Sequence, residues 1–294
     1  MSRNFLNLSD ISNLEILSII EKSIDLKSTN QSLNLMQNKY LALIFEKSST
    51  RTRVSFEVAM NQLGGRASFL SLEDLQISRG ESIEETAKVI SSYADFIVLR
   101  TLDHITQTKF AENSSCPVIN GLSNLSHPCQ ILADLLTLTE EGLNLKNMKV
   151  CWAGDPNNVC FSYIEAAKVL GFNLHVACPV KYHAQDLISK NVSFSESLQE
   201  SVNGADVIAT DVWVSMGDEK DRVEREKDFS QYQINPEVLR LASKNCYFLH
   251  CLPANKGQEI SKDMLNHPQS LVWKQAANRL HVQKGLLAFL SEST

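Results

Sequence analysis

The segment Ser48-Ser49-Thr50-Arg51-Thr52-Arg53 crowds hydroxyl and guanidinium donors between a predicted strand and a predicted helix. A helix start offers unpaired backbone N–H groups and the positive end of the dipole. With the hydroxyls and the forked donor of Arg51, such a start suits the oxygens of a phosphate. Arg51 and Arg53 are two apart, so on a helix they point to nearly opposite sides and only one faces a ligand. Serine and threonine are also ordinary helix caps, which leaves a reading with a capped helix and solvated arginines. The GxxxxGK[ST] pattern of a Walker-type nucleotide loop is absent.

Four further segments have chemical potential. His127-Pro128-Cys129-Gln130 opens a helix with His127 and Gln130 on one face, where they can donate to a polarised carbonyl oxygen or bind an amide. Metal ligation by His127 is disfavoured, because no second His or Cys stands at ligand spacing. In His250-Cys251-Leu252-Pro253 the thiol can be a nucleophile, a substrate contact or simply buried, and nothing in the sequence decides. Asp211-Val212-Trp213-Val214-Ser215-Met216-Gly217 supplies a carboxylate suited to an ammonium group and a glycine that permits a mobile loop, or else a surface loop with a stray acid. Gly154-Asp155-Pro156-Asn157-Asn158 stands where a dinucleotide fold shows GxGxxG and lacks that spacing, so its paired amides fit a small polar ligand better.

The elements that must position these segments alternate. Ser9 and Asp10 precede a helical stripe of Ile11, Leu14, Leu17, Ile20 and Ile24. Strands are predicted at Tyr40 to Phe45, Ala67 to Leu70, Phe96 to Leu99, Pro117 to Ile119, Met148 to Trp152, Leu174 to Cys178, Val207 to Thr210 and Tyr247 to Leu249. Helices are predicted at Thr52 to Leu63, Ser82 to Tyr93, His127 to Glu141, Val159 to Leu170 and Gln275 to Leu290. The alternation implies an α/β protein with two doubly wound parallel-sheet domains joined by helices and a cleft between them for the active site. Ligands of such sheets bind beyond the carboxyl ends of strands, which singles out Glu46 to Arg53, Arg100, Asp155 to Asn158, Asp211 and His250-Cys251.

The 294 residues are 43% hydrophobic and 21% charged, the mix of a folded globular chain. A formal charge of −6 argues against nucleic-acid binding by broad phosphate neutralisation, while leaving room for a small basic pocket. Seven scattered cysteines without a CxxC pair fit a reducing compartment. The Met1-Ser2-Arg3-Asn4-Phe5 start lacks the apolar run of a signal peptide, and no stretch is apolar enough for a membrane span. A cytoplasmic location is expected, with no membrane or nucleic-acid partner.

Taken together, Ser49-Thr50-Arg51-Thr52-Arg53, His127-Pro128-Cys129-Gln130, Asp211 to Gly217 and His250-Cys251-Leu252-Pro253 resemble the signature blocks of the ornithine carbamoyltransferases, in that family's order and over nearly the whole chain. The resemblance implies that Ser49, Thr50, Arg51, Thr52, Arg100, His127 and Gln130 bind carbamoyl phosphate, and that Cys251, Leu252 and Arg279 close around its carbamoyl group. It implies that Asn158, Asp211, Ser215 and Met216 hold L-ornithine, and that Gln76 reaches a neighbouring subunit's site in a homotrimer. It implies no metal or organic cofactor. Residues 1–135, with a C-terminal helix over 274–294 packed back on them, would form the carbamoyl-phosphate-binding domain, and 136–273 the ornithine-binding domain. Two positions depart from the family pattern: Pro156 replaces its usual glycine, and Ala277 removes a carboxylate near Arg279.

The chemistry so implied is attack of ornithine's neutral δ-amine on the carbonyl carbon of carbamoyl phosphate, in a route toward arginine. Arg51, Arg100, His127, Asp211 and Cys251 are the expected catalytic residues, with Cys251 positioning the amine rather than attacking. Desolvation by closure of the Ser215-Met216-Gly217 loop would favour the neutral amine. Acetylornithine, putrescine and aspartate are rival acceptors; the first lacks the free α-amine that suits Asp211, and aspartate would demand cations absent from that loop. A dinucleotide-dependent oxidoreductase and a catalytically silent binding protein are the rivals from other classes.

Overall fold

The computed structural model describes residues 3–28, 34–215 and 219–292. It divides into two compact units, Met1–Leu136 with Ala277–Thr294, and Thr137–Ala276. The first unit runs α1 (Asn13–Ser28), β1 (Tyr40–Phe45), α2 (Thr50–Gln62), β2 (Arg66–Ser71), α3 (Ile83–Ser91), β3 (Phe96–Arg100), α4 (His104–Glu112), β4 (Val118–Leu122) and the start of α5 (Pro128–Glu140). Its strands form one parallel sheet in the order β2-β1-β3-β4. The central strands β1 and β3 are buried along almost their whole length, which is why they read as unbroken apolar runs.

From β1 the chain moves to one side to build β2, and from β3 to the other to build β4, so the order reverses between β1 and β3. A crevice for ligands opens at such a switch point, beyond the strands' carboxyl ends. Glu46 ties the two strand ends together there. Its N–H donates to the Arg100 carbonyl at 2.8 Å and its carboxylate accepts the Leu102 N–H at 2.7 Å. The β3–β4 ladder also slips between Leu99 and Arg100, and such a bulge re-aims a side chain at a strand end.

The second unit takes the remainder of α5 and then β5 (Lys149–Ala153), α6 (Asn158–Leu170), β6 (Asn173–Ala177), β7 (Val192–Ser195), α7 (Leu198–Val202), β8 (Val207–Thr210), α8 (Arg222–Asp228), α9 (Pro236–Leu241) and β9 (Tyr247–His250). Its sheet is again parallel, in the order β7-β6-β5-β8-β9, with the reversal between β5 and β8. Helix α10 (Val272–Ser291) begins in this unit and continues into the first.

Helix α1 differs from its sequence reading. Ser12, not Ser9 or Asp10, opens it, since the Glu15 carboxylate accepts the Ser12 N–H at 2.8 Å and Ser12 Oγ accepts the Glu15 N–H at 3.4 Å. Asp10 instead closes the preceding turn by accepting the N–H groups of Leu6 and Asn7. The buried stripe is Ile16, Ile19, Ile20, Ser23 and Leu26, whereas Leu14, Leu17 and Ile24 are exposed. The packing partner decides this. At Gly285 of α10 an added Cβ would collide with Ser23 Oγ and lie 2.7 Å from the Ile19 carbonyl oxygen, so that face of α1 is pressed against α10.

Candidate active site

In the first unit the β1 and β3 ends present a cationic cluster. Ser49 stands in the N-cap position of α2 with extended φ and ψ, yet its side chain makes no capping bond, and the first turn carries no acid. The hydroxyl and the helix mouth are therefore not spent on each other. Arg53 turns away, stacking its guanidinium 3.8 Å from the Phe69 ring centroid and bonding Glu57 at 3.1 Å. Arg51 lies on the other side of the helix, and its charge bears on both Arg100 and His127.

Arg100 closes β3 with only 8% of its surface exposed. Among the described residues its Nε has no hydrogen-bond partner. Burial, then the charges of Arg279 and Arg51, push its pKa down to about 10. A buried cation surrounded by cations is unfavourable unless an anion arrives.

Arg279, on α10, is 3% exposed and bonds Gln130 Oε1 at 2.5 Å and Thr52 Oγ1 at 3.0 Å. Gln130 in turn donates to Asp134 at 2.8 Å, so a buried carboxylate orients the amide that orients the arginine. Arg279 is thus oriented without a carboxylate at Ala277, which is exposed. His127 Nε2 lies 3.5 Å from Arg279 Nη1. Burial and the charges of Arg279, Arg100 and Arg51 hold the imidazole well below its usual pKa, so it is neutral at pH 7. Cys129 is structural: it contacts the Asn120 carbonyl, and burial pushes its thiol up to about 12. Ser49, Thr50, Arg51, Thr52, Arg100, His127, Gln130 and Arg279 therefore all belong to this unit, with the last six linked by contacts or charge. Gln76 is different: it is exposed, between β2 and α3, and no hydrogen bond of its side chain is seen among the described residues.

In the second unit the β5 and β8 ends meet through Asn157. Its Oδ1 accepts the N–H groups of Val159 and Cys160, capping α6, while its Nδ2 donates to Asp211 Oδ2 at 2.8 Å and lies 3.3 Å from Ser215 Oγ. Asp211 Oδ1 accepts the Val212 N–H, so the carboxylate is held from both sides. Asn158 is the partly exposed first residue of α6. Pro156 is buried in the same turn. Arg225 of α8 pairs with Asp155 at 2.6 Å and donates to the Trp213 carbonyl at 3.0 Å, binding the two loops from behind. Gly154 has φ +107, and a Cβ there would come within 3.2 Å of the Trp213 ring. Met216 and Gly217 lie outside the described residues.

Beyond β9, Cys251 is the one partly exposed cysteine. Ligand atoms of Asp211, His250 and Cys251 all lie within 4.8 Å of one another. These are metal-binding types, but both His250 ring nitrogens are engaged, Nδ1 with the Leu252 N–H and Nε2 with Glu259. The cluster offers an acid and a thiol without disturbing those bonds. Arg225 and Glu259 were not singled out in the sequence, and Asn157 was singled out only as one of two paired amides, not as the residue that clamps Asp211. The local signal for its capping role is an asparagine just before an apolar-periodic helix, whereas Arg225 and Glu259 carry none.

Two parallel sheets, one with a cationic helix mouth and the other with a clamped acid beside a thiol, describe an enzyme that handles an anionic group at one sheet and an amine at the other. Family comparison makes the class specific. Residues 3–140 match the carbamoyl-P binding domain of aspartate/ornithine carbamoyltransferases, and residues 146–290 match their Asp/Orn binding domain. The chain belongs to the aspartate/ornithine carbamoyltransferase family, and its enzymatic class is carbamoyltransferase. It is 47% identical to the ornithine carbamoyltransferase of Methylococcus capsulatus, over 98% of each chain. Among solved structures it resembles ornithine carbamoyltransferase from Pyrococcus furiosus, with TM-score 0.93 and 42% identity over 98% of this chain and 96% of that one. It also resembles the anabolic ornithine carbamoyltransferase of Campylobacter jejuni, with TM-score 0.93 and 40% identity over 99% and 100%.

Proposed function

We propose that this chain transfers the carbamoyl group of carbamoyl phosphate to the δ-amine of L-ornithine, giving L-citrulline and phosphate, in the cytoplasm and in the direction of arginine biosynthesis. The observation that carries the reading is Arg100, a buried guanidinium without a partner at Nε, with Arg279 and Arg51 as its charged neighbours. That deficit of negative charge calls for a multiply charged donor. The names of the relatives support ornithine as acceptor, and the Campylobacter jejuni protein, described as anabolic, supports the biosynthetic direction.

In this mechanism the phosphate rests on the α2 mouth with Ser49, Thr50, Arg51 and Thr52, while Arg100, His127, Gln130 and Arg279 address the carbamoyl oxygen. Neutral His127 donates a hydrogen bond without adding a further charge to the arginines. Asn158, Asp211, Ser215 and Met216 hold the α-amino and α-carboxylate groups of ornithine. The δ-amine lone pair attacks the carbonyl carbon and the oxygen gains charge; as the oxyanion collapses to a carbonyl the C–O bond to phosphate breaks, and the nitrogen's proton passes to the departing phosphate. Cys251 and Leu252 orient the reacting groups, and no bond forms to sulfur. The chemistry requires amine and carbonyl carbon to approach to about 3–3.5 Å, and each donor aimed at the developing oxyanion contributes roughly 3 kcal/mol to lowering the barrier. The chain works as a homotrimer in which Gln76 of one subunit enters the site of the next; the exposure of Gln76 beside half-buried Leu75 and Ile77 supports this.

Purified protein with carbamoyl phosphate should form citrulline from ornithine and no product from acetylornithine, putrescine or aspartate; a preference for any of the three overturns the acceptor assignment. Arg51→Ala should lower kcat/KM by about 100-fold or more, whereas Cys251→Ala should keep measurable turnover. The opposite ranking would reverse the roles. Because a free alkyl amine titrates near about 10.4, turnover should climb from pH 6 to roughly 9 as the neutral amine becomes more abundant.

A further inference from the structure

No step of the proposed reaction uses Asn157, yet it stands where the end of β5, the start of α6 and the loop after β8 come together. Its side-chain orientation is fixed from the helix side. Oδ1 accepts the N–H groups of Val159 at 3.0 Å and Cys160 at 3.2 Å, so this atom is the oxygen and the amide nitrogen points the other way. That nitrogen has two hydrogens to give. It meets Asp211 Oδ2 at 2.8 Å and Ser215 Oγ at 3.3 Å, both in the loop after β8. The backbone is fixed as well. The Asn157 N–H donates to the Asp155 carbonyl at 2.8 Å, closing a tight turn centred on Pro156, and the same carbonyl accepts the Trp152 indole N–H at 2.8 Å. Proline locks φ near about −65°, close to the roughly −75° that such a turn requires. Pro156 thus presents the amide ready-made. Asn157 and Asp211 are both buried.

We propose that Asn157 is a positioning residue for the acceptor: its amide bridges Asp211 and Ser215 and holds them as one receptor for ornithine's α-ammonium group. The inference rests on the proposed ornithine contacts of those two residues. An ammonium needs acceptors in a set arrangement, and a carboxylate on a loop otherwise turns about its last bond. Here the Val212 N–H holds Asp211 Oδ1 and Asn157 holds Oδ2, so the carboxylate plane is set before the substrate arrives. The second amide hydrogen draws Ser215 Oγ to the same point and leaves that oxygen a further lone pair. Asn157 serves binding rather than chemistry, and its effect passes entirely through Asp211 and Ser215.

Two substitutions in the full-length protein keep the α6 cap and remove the bridge, because serine and aspartate cap as well as asparagine does. At about pH 8.5, Asn157→Ser, whose hydroxyl is too short to reach Asp211, should raise the ornithine KM by about tenfold or more. Its kcat and carbamoyl phosphate KM should stay within about threefold of the unmodified protein. Asn157→Asp should show the same loss at about pH 8.5, where two carboxylates face each other. At about pH 5.5 a proton shared between them puts an O–H where the amide N–H stood, and the loss should shrink to within about threefold. Both pH values are compared through the dissociation constant of L-2-aminopentanoate, by calorimetry with carbamoyl phosphate present. That probe carries ornithine's α groups and no δ-amine to react. Asp155, paired with Arg225, and His250 and Cys251 stand around the Asn157–Asp211 contact, and comparison with the unmodified protein at each pH cancels their titration. Asn157→Ser should show no acid rescue. An unchanged ornithine KM in Asn157→Ser, an equal rise in both KM values, or a loss in Asn157→Asp that persists in acid overturns the proposal. If Asn157→Asp fails to fold, Asn157→Ser decides. An unmodified protein that makes no citrulline sinks the proposed reaction; one that makes it while both variants bind the acceptor normally sinks only this inference.

Discussion

Arg100 is stored at a cost. Burial and two neighbouring guanidinium groups disfavour its charge, and nothing on its Nε compensates. Replacing it with methionine should therefore raise folding stability by roughly 1–3 kcal/mol while removing carbamoyl phosphate binding, the trade expected where a site is strained for function. Thermal melts with and without carbamoyl phosphate check both halves; a destabilised Arg100→Met protein refutes the first. His127 gives a pH signature. Its folded pKa lies well below 6.5, so below about pH 6.5 the unfolded chain binds a proton that the folded chain refuses. Stability is then complete above that pH and falls by up to about 1.4 kcal/mol per unit on acidification through this window. His127→Asn should flatten the slope of stability between pH 5 and 7, and an unchanged slope would contradict the assignment. The residues that could be read from sequence are those whose signal is local: Arg51 and Thr52 at a strand-to-helix turn, and His127 at a helix start. The Arg279–Gln130 and Arg225–Asp155 bonds join residues far apart in the chain, and no spacing rule announces them.

At the scale of elements, close approach outweighs propensity. Gly285 sits inside α10, where alanine would ordinarily stabilise a helix by about 1 kcal/mol. Here the added methyl meets Ser23 and the Ile19 carbonyl of α1. Gly285→Ala should thus lower the melting temperature, by roughly 1–3 kcal/mol of stability, and a raised melting temperature would show that α1 can retreat. The Arg225–Asp155 pair, with side chains 14% and 5% exposed, fastens α8 to the loop after β5. Arg225→Ala removes a charged partner of the buried Asp155 carboxylate and should cost about 3 kcal/mol, with the ornithine KM raised more than that of carbamoyl phosphate. Equal changes in the two constants would separate α8 from the acceptor site. The elements missed in the sequence have little pattern to offer. Helix α8 reads Arg-Val-Glu-Arg-Glu-Lys-Asp, with no apolar stripe, and β7 is a four-residue edge strand. The α1 stripe was misplaced because that helix is apolar on two sides, and only the position of α10 decides which is buried.

At the scale of the whole molecule, the sheet orders explain why both clusters stand at strand ends: each sheet reverses once, and each cluster sits at that reversal. The proposed trimer gives a test of its own. Arg51→Ala and Gln76→Ala chains, each inactive alone, should recover about a quarter of the sites when mixed one to one and reassembled at random, because some pairs then contribute an intact residue from either side. No recovery would place Gln76 outside any shared site. The thiols close the account. Cys116, Cys129, Cys151, Cys160, Cys178 and Cys246 are buried, and burial pushes every one of them above the ordinary thiol range. An alkylating dye should consequently find a single address, Cys251, and mass spectrometry of the labelled chain should show one adduct. Nature has left this protein with a built-in attachment point for a fluorophore, whose brightness would report in real time on whatever settles beside it.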